Sequence, residues 1–181
     1  MKYKSIISII FILCVVFKVH GDSMSEQIRS ATASTLNSKV KNNQNWVALM
    51  SPQIAAWLPD EGIRRKILSA VFHESKIAGV DPELILGIII VESKFDKYAV
   101  SKAGAIGLMQ IMPFWLKEIK PLNNNLFDIE TNIHLGCTIL KNYIDVEKGN
   151  LFYALGRYNG SRGQGKYPQL VMSNYQRFQL Q

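Results

Sequence analysis

The sequence has little of what a disulfide-built or metal-built protein needs. Only two of its 181 residues are cysteine and three are histidine. That is too few for a disulfide scaffold and leaves little room for a site of soft metal ligands. His73-Glu74 opens like the helix of a zinc protease, but Ile77 stands four residues after His73, where the second ligand would have to be. No metal and no cofactor are expected. The chain also lacks internal repeats and any strand-like run with clean period-two alternation. With 48% hydrophobic and 19% charged residues, it is neither disordered nor collagenous, and the composition is that of an ordinary globular domain.

The longest apolar run outside the body of the chain is Ile6 to Phe17, broken only by Ser8. Its 12 residues fall short of the roughly 20 that a spanning helix requires. Lys2 and Lys4 precede it, and Val19-His20-Gly21 follows as an imperfect small-x-small site. The order of basic, apolar and small residues is that of a secretory signal over residues 1–21, with an uncleaved N-terminal anchor as the alternative, and implies the periplasm or cell envelope. Cys14 lies inside the apolar run, so it is not a lipidation site. Cleavage after Gly21 would remove Cys14 and three lysines, leaving the single thiol Cys137. It would also lower the net charge from +7 to +4, with 18 basic and 14 acidic residues remaining. The remaining basic residues are scattered, without the clustered stripe of a nucleic-acid binder, so no nucleic-acid partner is expected.

Residues 22–58 are read as a polar tether or N-terminal helix, in which Ile28, Leu36 and Val40 are too sparse for a continuous apolar face. Residues 59–181 are read as one all-α catalytic domain. Asp60 caps a helix ending near Gly79, Asp81-Pro82-Glu83 starts a second, Asp128 caps a later one, and Asn150 opens another. A helix is also predicted from about Gly107 to Lys120, stopping before Pro121, and Pro168 marks the start of the last.

The most informative segment is Leu84 to Val91, eight consecutive apolar residues followed by Glu92. A helix apolar on every side is a buried one. A carboxyl at its end emerges among apolar side chains, which penalise the charged form and prepare it to hold and deliver a proton. Protonating a leaving oxygen is what glycosidic cleavage requires. The bland alternative is that Glu92 is the first solvated residue of a helix end. Downstream, Ala103-Gly104-Ala105-Ile106-Gly107-Leu108-Met109-Gln110-Ile111-Met112-Pro113 and Arg157-Tyr158-Asn159-Gly160-Ser161 supply turn glycines, amides, a hydroxyl and an aromatic. Such groups suit a sugar.

Three motifs in this order, Glu-Ser-x-Phe at 92–95, Gly-Ala-Ile-Gly-Leu-Met-Gln-Ile-Met-Pro at 104–113 and Tyr-Asn at 158–159, resemble the soluble-type lytic transglycosylases of the lysozyme-like superfamily. The resemblance runs from about Ile63 to Tyr175 and implies a goose-type-lysozyme-like helical domain with a substrate groove. It implies Glu92 as catalytic acid and then base, with Ser101, Gln110, Tyr158 and Asn159 shaping the sugar subsites or orienting the Glu. Met112 adds soft apolar surface of the kind that lines a substrate groove. The resemblance further fixes the expected substrate and product. It implies peptidoglycan strands as the partner, a monomeric enzyme, and cleavage between N-acetylmuramic acid and N-acetylglucosamine with 1,6-anhydromuramic ends. Where the family commonly has Ala-Tyr-Asn, this chain has Arg157-Tyr158-Asn159. Arg157 and Arg162 bring two charges to the glycine-rich loop after it, which would favour an anionic glycan.

Two other functions compete. A lysozyme-type hydrolase would need a second carboxylate, for which Asp96 is the nearest candidate in sequence. A non-catalytic peptidoglycan-binding module would keep the groove without the chemistry. The process served is either general wall recycling or local opening of the wall for an envelope-spanning secretion or conjugation apparatus.

Overall fold

The computed structural model describes the backbone of residues 3–179 and the side chains of residues 26–38 and 40–179. The signal segment read over residues 1–21 therefore lies outside the residues whose side chains are described. The chain divides into two units, residues 1–42 and 43–181. Helix α1 is Tyr3–Ile54. In the first unit its described side chains, including Ile28, Leu36 and Val40, are exposed. Thr32 and Thr35 donate back to carbonyls one turn earlier, Ile28 O and Ala31 O, at 2.7 and 2.8 Å. Among the described residues, no helix is long and apolar enough to cross a membrane.

The second unit contains the end of α1 and helices α2 (Glu61–Ala78), α3 (Pro82–Ser93), α4 (Trp115–Ile119), α5 (Ile129–Val146), α6 (Leu151–Tyr158) and α7 (Lys166–Gln179). Its described residues contain isolated antiparallel bridges and no strand ladder, so the all-α expectation holds. Val47, Met50 and Ile54 are buried in its core. Residues 43–58, on the tether side of the sequence-based boundary, therefore pack with this unit.

The helix ends follow from side-chain chemistry. Asp60, Asp128 and Asn150 each accept a backbone N–H three residues on, from Ile63, Thr131 and Tyr153, which satisfies donors that the helix itself leaves free. Asp81 is the N-cap of α3 with Pro82 inside the first turn. Its carboxylate, however, takes the Tyr175 hydroxyl at 2.6 Å instead of a backbone N–H. Glu83, in the same turn, accepts Trp46 Nε1 at 2.7 Å. The start of α3 is thus tied by side chains to α1 and α7. Pro168 is the third residue of α7 and not its first, a place in the opening turn where its missing N–H goes unused.

All seven residues from Leu84 to Ile90 are buried. At about 1.5–3 kcal/mol for each fully buried large aliphatic side chain, this overrides the weak helix preference of its isoleucines. Helix α3 packs against α7 and α2, and α5 packs against α2 and α6. The central helix therefore ends, at Glu92, among the others.

The helix predicted from Gly107 to Lys120 is shorter in the structure, which forms only α4 there. Residues 99–111 fold as tight turns closed by Ile106 N–H to Ile111 O (3.0 Å), Ile111 N–H to Ile106 O (2.9 Å) and Gly107 N–H to Ala99 O (2.8 Å). Gly107 and Gln110 have φ of 79° and 51°, left-handed conformations that a right-handed helix cannot contain. The predicted stop is correct, with Lys120 left-handed immediately before Pro121.

Candidate active site

Glu92 stands in the last turn of α3, and the chain breaks sharply just beyond it. Lys94 and Phe95 are both left-handed, with φ of 53° and 67°, and Phe95 is buried in the core. Neither is glycine, so this turn carries backbone strain held by the packing around it. Ser93 fixes the turn by donating to Leu108 O at 2.8 Å, with a longer contact to Ile89 O at 3.2 Å. It thereby joins the end of α3 to the 104–112 turns.

The Glu92 carboxyl is half-buried. Burial pushes its pKa above the ordinary carboxyl value, and a hydrogen bond from Tyr167 Oη to Oε1 at 2.7 Å pulls in the opposite direction. Burial dominates, so the acid is biased toward holding its proton. Tyr167 is buried near the start of α7. Its own hydroxyl is pushed well up by burial and by the charge of Glu92, so it remains a donor. The sequence reading missed Tyr167, which lies 75 residues away along the chain.

The alkaline limb of a pH–rate profile reports where the required acid loses its proton. Replacing Tyr167 by Phe removes an interaction that favours the carboxylate, so the Glu92 pKa rises further. The alkaline limb of kcat in Tyr167→Phe is therefore expected to move to higher pH. A limb that stays in place or moves to lower pH would contradict this wiring.

The other sequence-predicted residues fall into two groups. Tyr158 comes to Glu92. It is packed against the core at the end of α6, and burial and then the Glu92 charge raise its hydroxyl well above the usual tyrosine value. Its hydroxyl donates to Met109 O at 2.8 Å, which ties α6 to the 104–112 turns. Asn159 is exposed as the C-cap of α6, and its Oδ1 accepts the Ser161 hydroxyl at 3.0 Å. It lines a hollow of about 220 Å³ with Ser161, Gln164, Lys166, Tyr167 and Leu170. Tyr167 is thus shared between the hollow and the Glu92 hydrogen bond.

Ser101, Gln110 and Met112 belong to the turns. The Ser101 hydroxyl accepts Ala105 N–H at 3.0 Å, closing its own loop while keeping a proton to donate. Gln110 donates its amide N–H groups to Ala99 O and Gly107 O at 3.2 and 3.0 Å. Among the described residues its Oε1 accepts no hydrogen bond. Met112 is half-buried just before α4.

These turns rest on Asn132, a buried residue of α5. Its Oδ1 accepts Met109 N–H at 2.8 Å, and its Nδ2 donates to Ile106 O and Leu126 O at 2.9 and 2.8 Å. Gly107 is required beside it, because a Cβ there would stand 2.4 Å from Asn132 Nδ2.

One charge reading changes, and the second carboxylate of the competing hydrolase reading stands apart. Asp96 does not share a helical face with Glu92, because α3 has ended. Its carboxylate accepts Tyr98 N–H at 2.8 Å in an exposed turn. Arg157 and Arg162, read as free charges beside the groove, are both paired with Glu147. Elsewhere, the Glu74 carboxylate accepts from His73 Nδ1 at 3.0 Å and from His134 Nδ1 at 2.8 Å, and the second contact joins α2 to α5. Cys137 is buried, and its thiol is pushed far up by burial and Glu74, so it is no nucleophile.

The chain is similar in sequence and in fold to known proteins. A membrane-bound lytic murein transglycosylase C of Mannheimia succiniciproducens is 44% identical over 90 residues, covering 43% of this chain and 25% of the relative. One of Haemophilus influenzae is 31% identical over 176 residues, covering 84% of this chain and 49% of the relative. The chain thus spans about half or less of the length of these curated relatives. The solved structure of an inactive variant of lytic transglycosylase Slt from Pseudomonas aeruginosa matches with a TM-score of 0.56 and 23% identity, over 61% of this chain and 23% of that one. This likeness shows a shared helical, lysozyme-like fold. The model of the transglycosylase SLT domain matches residues 69–175. That match covers more than half of the sequence, and the chain belongs to the transglycosylase SLT domain family.

Proposed function

We propose that this chain is a peptidoglycan lytic transglycosylase, cutting between N-acetylmuramic acid and N-acetylglucosamine with Glu92 as the single acid and base. The observation that carries the reading is the Glu92 carboxyl itself. It sits at the end of the apolar run of α3, pushed toward its protonated form, with a tyrosine hydroxyl on one oxygen. A protonated Glu92 delivers its proton to the glycosidic oxygen as the bond breaks. The acetamido group of the substrate stabilises the cation at the anomeric carbon. The Glu92 carboxylate, stabilised for that interval by Tyr167, then takes the proton of the muramic 6-hydroxyl. The 6-oxygen closes onto the anomeric carbon, which restores the acid and leaves a 1,6-anhydro end.

Asn159 and the free oxygen of Gln110 are groups suited to sugar amides and hydroxyls, with Ser101 and Met112 on the neighbouring turns. The single-carboxyl mechanism is supported by the place of Asp96, beyond the break of α3 and engaged in its own turn. The signal-like segment fits action in the periplasm or envelope. An exported wall-cutting domain suits either general wall recycling or local opening of the wall for an envelope-spanning secretion or conjugation apparatus. Purified protein is expected to clear a suspension of sacculi and release soluble muropeptides. Intact sacculi after prolonged incubation would contradict the assignment.

A further inference from the structure

Away from Glu92, two arginines converge on Glu147, at the C-cap of α5. Its carboxylate accepts Arg162 Nε at 2.7 Å, Arg162 Nη2 at 3.0 Å, and Arg157 Nε. Arg162 also lies over the Tyr153 ring, 4.6 Å from its centroid. Only 8% of the Glu147 side chain is exposed, against 38% and 48% for the two arginines that cover it. The arginine hydrogen bonds hold its pKa down at about 2, so it is an anion across the working pH range.

What the cluster grips is the segment between α6 and α7. Ser161 N–H reaches Gly156 O at 2.7 Å, and Gln164 N–H reaches Ser161 O at 2.9 Å. The approach to α6 is close enough that a Cβ on Gly156 would stand 2.9 Å from Arg162 Cα. This segment, with three glycines at 160, 163 and 165, would have high conformational freedom without an anchor. It supplies Asn159, Ser161 and Gln164 to the hollow that Tyr167 shares with Glu92.

We propose that Glu147 is a positioning residue for substrate: by tying Arg162 to Arg157 of α6 it fixes segment 159–165 as one wall of the hollow that Tyr167 lines beside its bond to Glu92. The inference rests on the proposed glycan-cleaving function and names a determinant of its affinity. A wall placed in advance spares the ordering of the loop when the glycan binds. The two arginines act as struts and not as free cations for an anionic polymer. Tyr167 is held separately, since it is buried in α7 together with Pro168 and Val171. Glu147 therefore governs binding and leaves the proton chemistry of Glu92 alone.

The test is steady-state cleavage of soluble peptidoglycan strands by the full chain. Glu147→Gln and Arg162→Ala are each expected to raise KM about tenfold, with kcat within about twofold, and the double variant to be no worse than either single one. The pH profile of kcat should coincide with the parent's. Placed in the inactive Glu92→Gln protein, Glu147→Gln should weaken sacculus binding by a similar factor, a readout independent of turnover. Parental KM in both single variants, additive losses in the double, or a fall in kcat with a displaced pH limb would each overturn the inference. A parent protein that leaves glycan uncut would instead overturn the proposed function.

Discussion

Glu92→Gln is expected to lower glycan cleavage by about 10³-fold or more, since one side chain carries both the acid and the base step. Glutamine keeps the shape and can still accept the Tyr167 hydroxyl, so folding and binding to sacculi should be retained. The same substitution has a second, signed consequence. Burial raises the Glu92 pKa in the folded protein, so its contribution to stability is fully present below the unfolded value of about 4.3 and is lost as pH rises through the folded value. Glu92→Gln, neutral throughout, should therefore unfold at a higher temperature than the parent at neutral pH, with the difference closing near about pH 4. Residual cleavage near the parental rate would remove Glu92 from the mechanism. A variant less stable than the parent at neutral pH would contradict the desolvated site.

Asn132→Ala is expected to have the largest effect on stability among the polar residues of the site. It leaves Met109 N–H, Ile106 O and Leu126 O without the partner they have now. Two of these bonds are buried and the one to Ile106 O is partly buried. At about 1–3 kcal/mol for each buried group left unpaired, a loss of at least about 3 kcal/mol follows, and Tm should fall by roughly 10 °C. Activity should fall further than the folded fraction explains, because the 104–112 turns lose their attachment to α5. Asn132→Asp keeps an acceptor for Met109 N–H but loses the donor to two carbonyls and buries a charge, so it should rescue neither property. A Tm within about 2 °C of the parent in Asn132→Ala would show that the turns hold themselves.

Local chemistry made much of the fold legible. Asp60, Asp128 and Asn150 cap the helices that their positions predict, and the all-apolar run to Glu92 is the buried central helix. What escaped depended on partners distant in sequence. The apolar residues from Ile106 to Met112 look helical by themselves. Gly107 and Gln110 turn left-handed there because the carbonyls and N–H groups of this stretch pair with Asn132, on another helix. Tyr167 carries no local sign of its role, since an aromatic in the first turn of an amphipathic helix is ordinarily core. Arg157 and Arg162 read as free charges because Glu147, at the end of α5, is their partner only in three dimensions. Glu92 could be singled out because its own neighbours in sequence create its environment.

The chemistry at Glu92 is most directly tested by the masses of the muropeptides released from sacculi by the purified chain. A single carboxyl that closes the muramic 6-oxygen onto the anomeric carbon should give products one water lighter than their hydrolysed counterparts, absent when Glu92→Gln is used. Products that all carry reducing ends, formed with uptake of water, would contradict the transglycosylase mechanism and make the protein a lysozyme-type hydrolase.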